Sequence, residues 1–152
     1  MYFRHVPNGI YDRGGRRDNR REAAIVAQLA LEHVQQVPKL SLGIIAFSEA
    51  QADAIQEQIE ILGREHSDLE AFCSDSSPQF FLKALENVQG DERDVILLSV
   101  GYARDDKGKL SLNFGPLNKQ GGERRLNVAV TRAKNKITLV FSIRAGDIRL
   151  LA

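Results

Sequence analysis

Cysteine is nearly missing from these 152 residues. Cys73 stands alone, so no internal disulfide can form, and a reducing compartment such as the cytoplasm is expected. His5, His33 and His66 are scattered, and none is spaced with Cys73 as zinc ligands would be, so no metal site is expected. No apolar run approaches the roughly eighteen residues that a membrane span requires. The N-terminus also lacks the charged and apolar regions of a signal peptide, and no membrane partner is expected. A large charge excess is absent too: 21 lysines and arginines face 20 aspartates and glutamates, a net charge of +1, which excludes a uniformly basic nucleic-acid binder. There is no phosphate cradle of the form G-x-x-x-x-G-K-[ST]; Gly108-Lys109-Leu110-Ser111 lacks the first glycine and lies in a polar loop. No G-x-G-x-x-G follows a strand, which argues against a self-sufficient Rossmann-type enzyme. Neither an internal repeat nor a low-complexity tract is present.

What is present describes one ordinary globular domain, with 43% hydrophobic and 27% charged residues. A short strand is expected around Phe3 to Val6. Asn19 followed by Glu22 has the form of a capping box, and Val26, Leu29, Ala30 and Val37 give the helix behind it one apolar side that Pro38 terminates. Leu42 to Phe47 is a continuous apolar run, too short for a typical helix and suited to a strand buried on both faces. Ser48 then caps a second helix carrying Ala52, Ile55, Ile59 and Leu62. His66 to Pro78 reads as a surface connection, Phe80 to Leu85 and Val95 to Tyr102 as strands, and Ala103 to Gly122 as a long polar connection. Leu126, Ala129, Val130 and Ala133 recur at helical spacing, and Ile137 to Ile143 closes the pattern as a strand. Such alternation predicts an α/β class with a mostly parallel sheet.

Basic residues are grouped despite the small net charge. Arg13, Arg16, Arg17, Arg20 and Arg21 form one cluster, and Arg124, Arg125, Arg132, Lys134 and Lys136 another. Arg125 and Arg132 lie seven apart on one edge of a helical stripe, about 10 Å from each other at 1.5 Å rise per residue. Two planar, permanently charged guanidinium forks so placed suit an anionic ligand, although solvated surface arginines are the commoner use.

The stretch VQGDERDVILLS from Val88, followed by ERRLNVAVTRA from Glu123, resembles motifs V and VI of superfamily 1 helicases. The likeness is to the 5′-to-3′ subgroup that includes nonsense-mediated-decay and senataxin-type enzymes, and to large bacterial multidomain helicase-like proteins. It implies a RecA-like, P-loop-NTPase-type three-layer fold without its own P-loop, with residues 1–152 forming one domain of a larger protein. ATP and magnesium would then be held mainly by an N-terminal RecA-like domain of the same polypeptide. In that scheme Arg132 is the arginine finger, Arg125 supports it or bonds a neighbouring acid at the interdomain cleft, and Gln89, Gly90 and Glu92 match a nucleotide-contacting Gln-Gly-x-Glu. The turn at Phe47, Ser48 and Gln51, with Asn87, would touch single-stranded DNA or RNA. Phe47 either stacks on a base or finishes the core. Two departures stand out: Glu86 replaces the usual aspartate, and another arginine of the family is absent. The resemblance also includes an Asn-x-x-Glu at Asn19 and Glu22, for which capping is expected ahead of chemistry. The alternative to a motor is a nucleic-acid-binding or interaction module of the same fold; the intact Arg125, Arg132 and Glu92 weigh against it.

Overall fold

The computed structural model describes residues 1–110 and 122–144. Ser111, most of the polar connection before Gly122 and the first glycine of the GGERR stretch lie outside those residues. In chain order the elements are β1 (Tyr2–His5), α1 (Arg20–Gln36), β2 (Leu42–Ala46), α2 (Glu49–Gly63), α3 (Ser67–Phe72), β3 (Phe80–Ala84), a 3-10 turn (Leu85–Asn87), β4 (Arg93–Ser99), α4 (Gly122–Val130) and β5 (Ala133–Phe141). The strands form one sheet in the order β1-β5-β4-β2-β3, and every pairing is parallel. The α/β architecture with a parallel sheet is therefore as expected.

Side chains alternate across a strand, so a central strand of a two-sided sheet must be apolar at every position. β2 meets that demand: Leu42, Ile44 and Ala46 enter one core with Ala23, Val26, Ala30, Ile55, Ile59 and Leu69 of α1, α2 and α3. Ile45 enters the opposite core with Ile96, Leu98, Phe81, Leu85, Val88 and Ala129, and Leu126 and Val130 of α4 pack against it. Helices thus lie on both faces. A Cβ on Gly43 would come within 2.5 Å of the Phe81 ring and 2.7 Å of Ile96 Cδ1, so the bare backbone lets that ring lie across the sheet.

Local differences from the sequence expectation have simple causes. Val37 is 41% exposed because α1 ends at Gln36, one residue before it. The expected surface connection contains α3, whose Leu69 and Phe72 are buried against α1 and α2. Ala133, counted with the helical stripe, opens β5 instead; α4 stops at Val130 and the chain is extended three residues later. Among the described residues no helix is long and apolar enough to cross a membrane.

Candidate functional site

In a parallel sheet all amino ends lie at one edge and all carboxyl ends at the other. Gln89 to Glu92 immediately precede β4, and Arg132 immediately precedes β5, so both belong to the amino edge. β4 and β5 are adjacent, and the Arg93 N–H donates to the Arg132 carbonyl at 3.0 Å, which ties the two segments together. Gln89, Gly90 and Glu92 are exposed there, and Gly90 has φ of 68°, a left-handed backbone that glycine adopts without strain. Asp91 turns away to an ion pair with Lys83 at 2.7 Å, which holds its carboxyl below the usual range.

Arg132 follows the carboxyl end of α4, where carbonyls lack helical partners and a cation is favoured. Its Nε donates to the Val128 carbonyl at 3.1 Å and one Nη donates to Thr131 Oγ1 at 3.3 Å. A guanidinium carries five donors, so these bonds orient the group while leaving others for a ligand. Arg125 Nη1 is buried and meets no hydrogen-bond acceptor among the described residues.

The second group of expected site residues divides at the carboxyl edge. Ser48 is half-buried; its Oγ caps α2 by accepting the Gln51 N–H at 3.1 Å. Asn87 is exposed and its Nδ2 donates to Glu49 Oε1 at 2.8 Å. Phe47, at 5% exposure, belongs to the second core, so base stacking is withdrawn for it. Gln51 requires the same correction. Its side chain is wholly buried: Oε1 accepts the Asn19 N–H at 2.8 Å, while Nε2 donates to the Asn19 carbonyl and to Ser99 Oγ, both at 3.2 Å. Its place just after the turn that follows β2 suggests an exposed edge, but the first turn of α2 buries this polar residue.

The Arg13–Arg21 cluster is not a cationic patch either. It borders a cavity of about 620 Å³ in which Arg13, Arg20, Arg21 and Lys107 are interleaved with Asp12, Asp18, Asp105 and Asp106. Arg16, moreover, pairs with Glu57 at 2.5 Å and lies 3.4 Å from Asp18. Acids and bases balance along this wall, and little net attraction for phosphate results.

Sequence reasoning missed the most unusual residue. In a capping box the Glu22 carboxylate would return to the Asn19 N–H. Asn19 does cap α1, with Oδ1 accepting the Glu22 N–H at 3.1 Å, but Gln51 has already taken the Asn19 N–H. Glu22 reaches instead into the interior, at 0% exposure. Its Oε2 accepts from Ser99 Oγ and the Gly101 N–H, both at 2.6 Å, and its Oε1 accepts from Ser142 Oγ at 2.9 Å. Burial pushes its carboxyl up to about 7, against the pull of these three donors. Only the Asn-x-x-Glu spacing signalled this residue, and spacing does not reveal where a carboxylate turns.

A pH dependence follows. Between about pH 4.5 and 7 the folded chain keeps a proton on Glu22 that the unfolded chain has released. The associated stability is complete below the unfolded value and is lost as pH rises through 7, a change of about 3 kcal/mol. Urea denaturation at pH 5 and pH 7.5 should therefore show wild type losing stability relative to Glu22→Gln across the window. Parallel pH curves would mean that Glu22 titrates at its ordinary value.

Comparison with known proteins adds four findings. The profile of a family described as an AAA domain matches residues 5–144. An uncharacterised ATP-dependent helicase of Mycoplasma pneumoniae is 43% identical over 137 residues, 85% of this chain and 12% of that protein. A counterpart in Mycoplasma genitalium, also named an uncharacterised ATP-dependent helicase, is 45% identical over 114 residues, 72% of this chain and 10% of that protein. The chain thus spans about a tenth of the length of these curated relatives. The crystal structure of the C-terminal domain of a possible DNA helicase from Lactobacillus plantarum aligns over 93% of this chain and 74% of its own, at 14% identity and a TM-score of 0.46.

Proposed function

Because the chain belongs to the AAA domain family, whose profile it matches over residues 5–144, we propose that it is the second RecA-like motor domain of a superfamily 1 ATP-dependent helicase or translocase. The subgroup is the 5′-to-3′, nonsense-mediated-decay and senataxin-like one. The observation that carries this reading is the Arg93 N–H bond to the Arg132 carbonyl, which brings Glu92 and the Arg132 finger to one edge of the sheet.

In this mechanism an N-terminal RecA-like domain of the same polypeptide holds ATP and magnesium, and the present domain closes over the nucleotide with its amino edge. Arg132 stabilises the charge that develops on the transferred phosphoryl group. Arg125, with an unused buried donor, supports it by bonding an acid or phosphate at the cleft. Glu92 accepts a ribose hydroxyl, a donor that suits an acid where phosphate would be repelled, and Gly90 lets the backbone approach closely. Single-stranded DNA or RNA passes the carboxyl edge, touching Ser48 and Asn87, neutral donors that position a backbone without reading sequence. Hydrolysis lets the halves part, and alternating grip moves the strand.

The test is ATP turnover by the full-length protein with and without single strands, alongside the 152-residue chain alone. Strand-stimulated hydrolysis by the whole protein and none by the chain is the expected result. Strand binding without any hydrolysis in the whole protein would make this a binding module of helicase fold. The isolated chain should bind single strands weakly, with a shallow salt slope, because the slope is about 0.7 per phosphate contact from a basic side chain and the arginine-rich wall is charge-balanced.

A further inference from the structure

Six buried or edge-lying groups from four elements meet beneath the carboxyl edge. Glu22 and Asn19 come from the start of α1, Gln51 from the first turn of α2, Ser99 and Gly101 from the end of β4, and Ser142 from the end of β5. The bonds form a closed circuit. Ser99 Oγ receives Gln51 Nε2 and gives its hydrogen to Glu22; Ser142 Oγ receives Asn19 Nδ2 at 2.9 Å and gives its hydrogen to Glu22. Each hydroxyl has one incoming donor and one outgoing hydrogen, so Glu22 is the acceptor on which both directions depend. Ionised, the carboxylate accepts from all three groups, whereas an amide in its place would turn an N–H toward one of them.

The circuit also fixes where α2 begins. Gly101 has φ of 80°, and a Cβ there would lie 3.0 Å from Gln51 Cγ, so the turn after β4 is moulded against the Gln51 side chain. Gln51 is three residues beyond Ser48 and donates its N–H to the Ser48 hydroxyl. The position of Ser48 at the surface is therefore set from below by groups that never reach solvent.

We infer that Glu22 is a positioning residue for the strand-facing edge: through Ser99, Gly101 and Gln51 it holds Ser48 and the start of α2 in register with the ends of β4 and β5. This rests on the reading of that edge as a path for single strands. Glu22 lies away from the amino edge that carries Arg132, so its loss acts on grip and leaves strand-independent hydrolysis alone.

The experiment is steady-state ATP hydrolysis by the full-length protein with a titrated single-stranded homopolymer, for wild type, Glu22→Gln and Ser142→Ala. At about pH 8, where Glu22 is ionised, Glu22→Gln should raise the half-saturating strand concentration about tenfold, the effect of losing one buried charge-assisted bond, with strand-free turnover within twofold of wild type. Ser142→Ala, which removes one donor and no charge, should shift the same constant in the same direction by less. A loss of strand-free turnover equal to the loss of strand affinity would reduce Glu22 to a general structural role and overturn the inference. So would unchanged strand affinity in both variants, with the motor reading left standing. Absence of any strand stimulation in the unaltered protein would overturn both.

Discussion

Arg132→Lys is expected to remove most ATP hydrolysis by the full-length protein, about a thousandfold, while ATP affinity falls far less. The expectation comes from the shape of the group. The Arg132 guanidinium is oriented by the Val128 carbonyl and Thr131 Oγ1 at the end of α4, and its remaining donors share the plane that those bonds set. Lysine keeps the charge but offers a mobile point donor on a flexible stem, with no fork to match the equatorial oxygens of a transferring phosphoryl group. In the proposed motor, binding of the ground state would rest mainly on the other half, so it should survive. Turnover and nucleotide titration on the same preparation separate the two quantities. Equal losses in both would mean that Arg132 is an architectural arginine that caps α4.

Gln51→Leu should destabilise the 152-residue chain by about 1 to 3 kcal/mol. The substitution is nearly volume-conserving and raises hydrophobicity, and at an exposed position it would change stability by less than about 0.5 kcal/mol. Here it strands the N–H of Asn19 and removes a donor from Ser99 Oγ in a place that water does not reach, while the Asn19 carbonyl keeps the Ala23 N–H at 3.0 Å. Each buried polar group left unpaired costs about 1 to 3 kcal/mol. Urea denaturation gives the value directly. A change under 1 kcal/mol would return Gln51 to the surface and reopen its assignment to the strand path.

The sheet was legible in the sequence because its central strands are buried on both faces, and few alternatives accommodate LGIIA or VILLS without a break. Boundaries were less legible where local pattern and tertiary pairing compete. Ala133 fits the helical stripe as well as Leu126 does, yet pairing of β5 with β4 extends the chain from that residue onward. The placement of the candidate residues was legible at the amino edge, where Gln89 to Glu92 and TRA are contiguous motifs that precede adjacent strands. It was less so at the carboxyl edge. A serine, a glutamine and an asparagine after buried strands look alike in one dimension, but Gln51 faces inward to take the buried N–H of Asn19, thirty-two residues earlier. The acid of Asn-x-x-Glu was misread for a related reason: the capping box is a local rule, and Glu22 is claimed by Ser99, Gly101 and Ser142, all at least seventy-seven residues away.

β5 starts one residue after Arg132 and ends one residue before Ser142. Nine residues of strand span about 30 Å at 3.3 Å each, with β4 bonded along one side and β1 along the other from Thr138 to Phe141. A strand is already near the full extension of its chain and yields little along its axis. In the proposed motor a displacement of Arg132 at one end would therefore be carried toward Ser142 and the Glu22 circuit at the other.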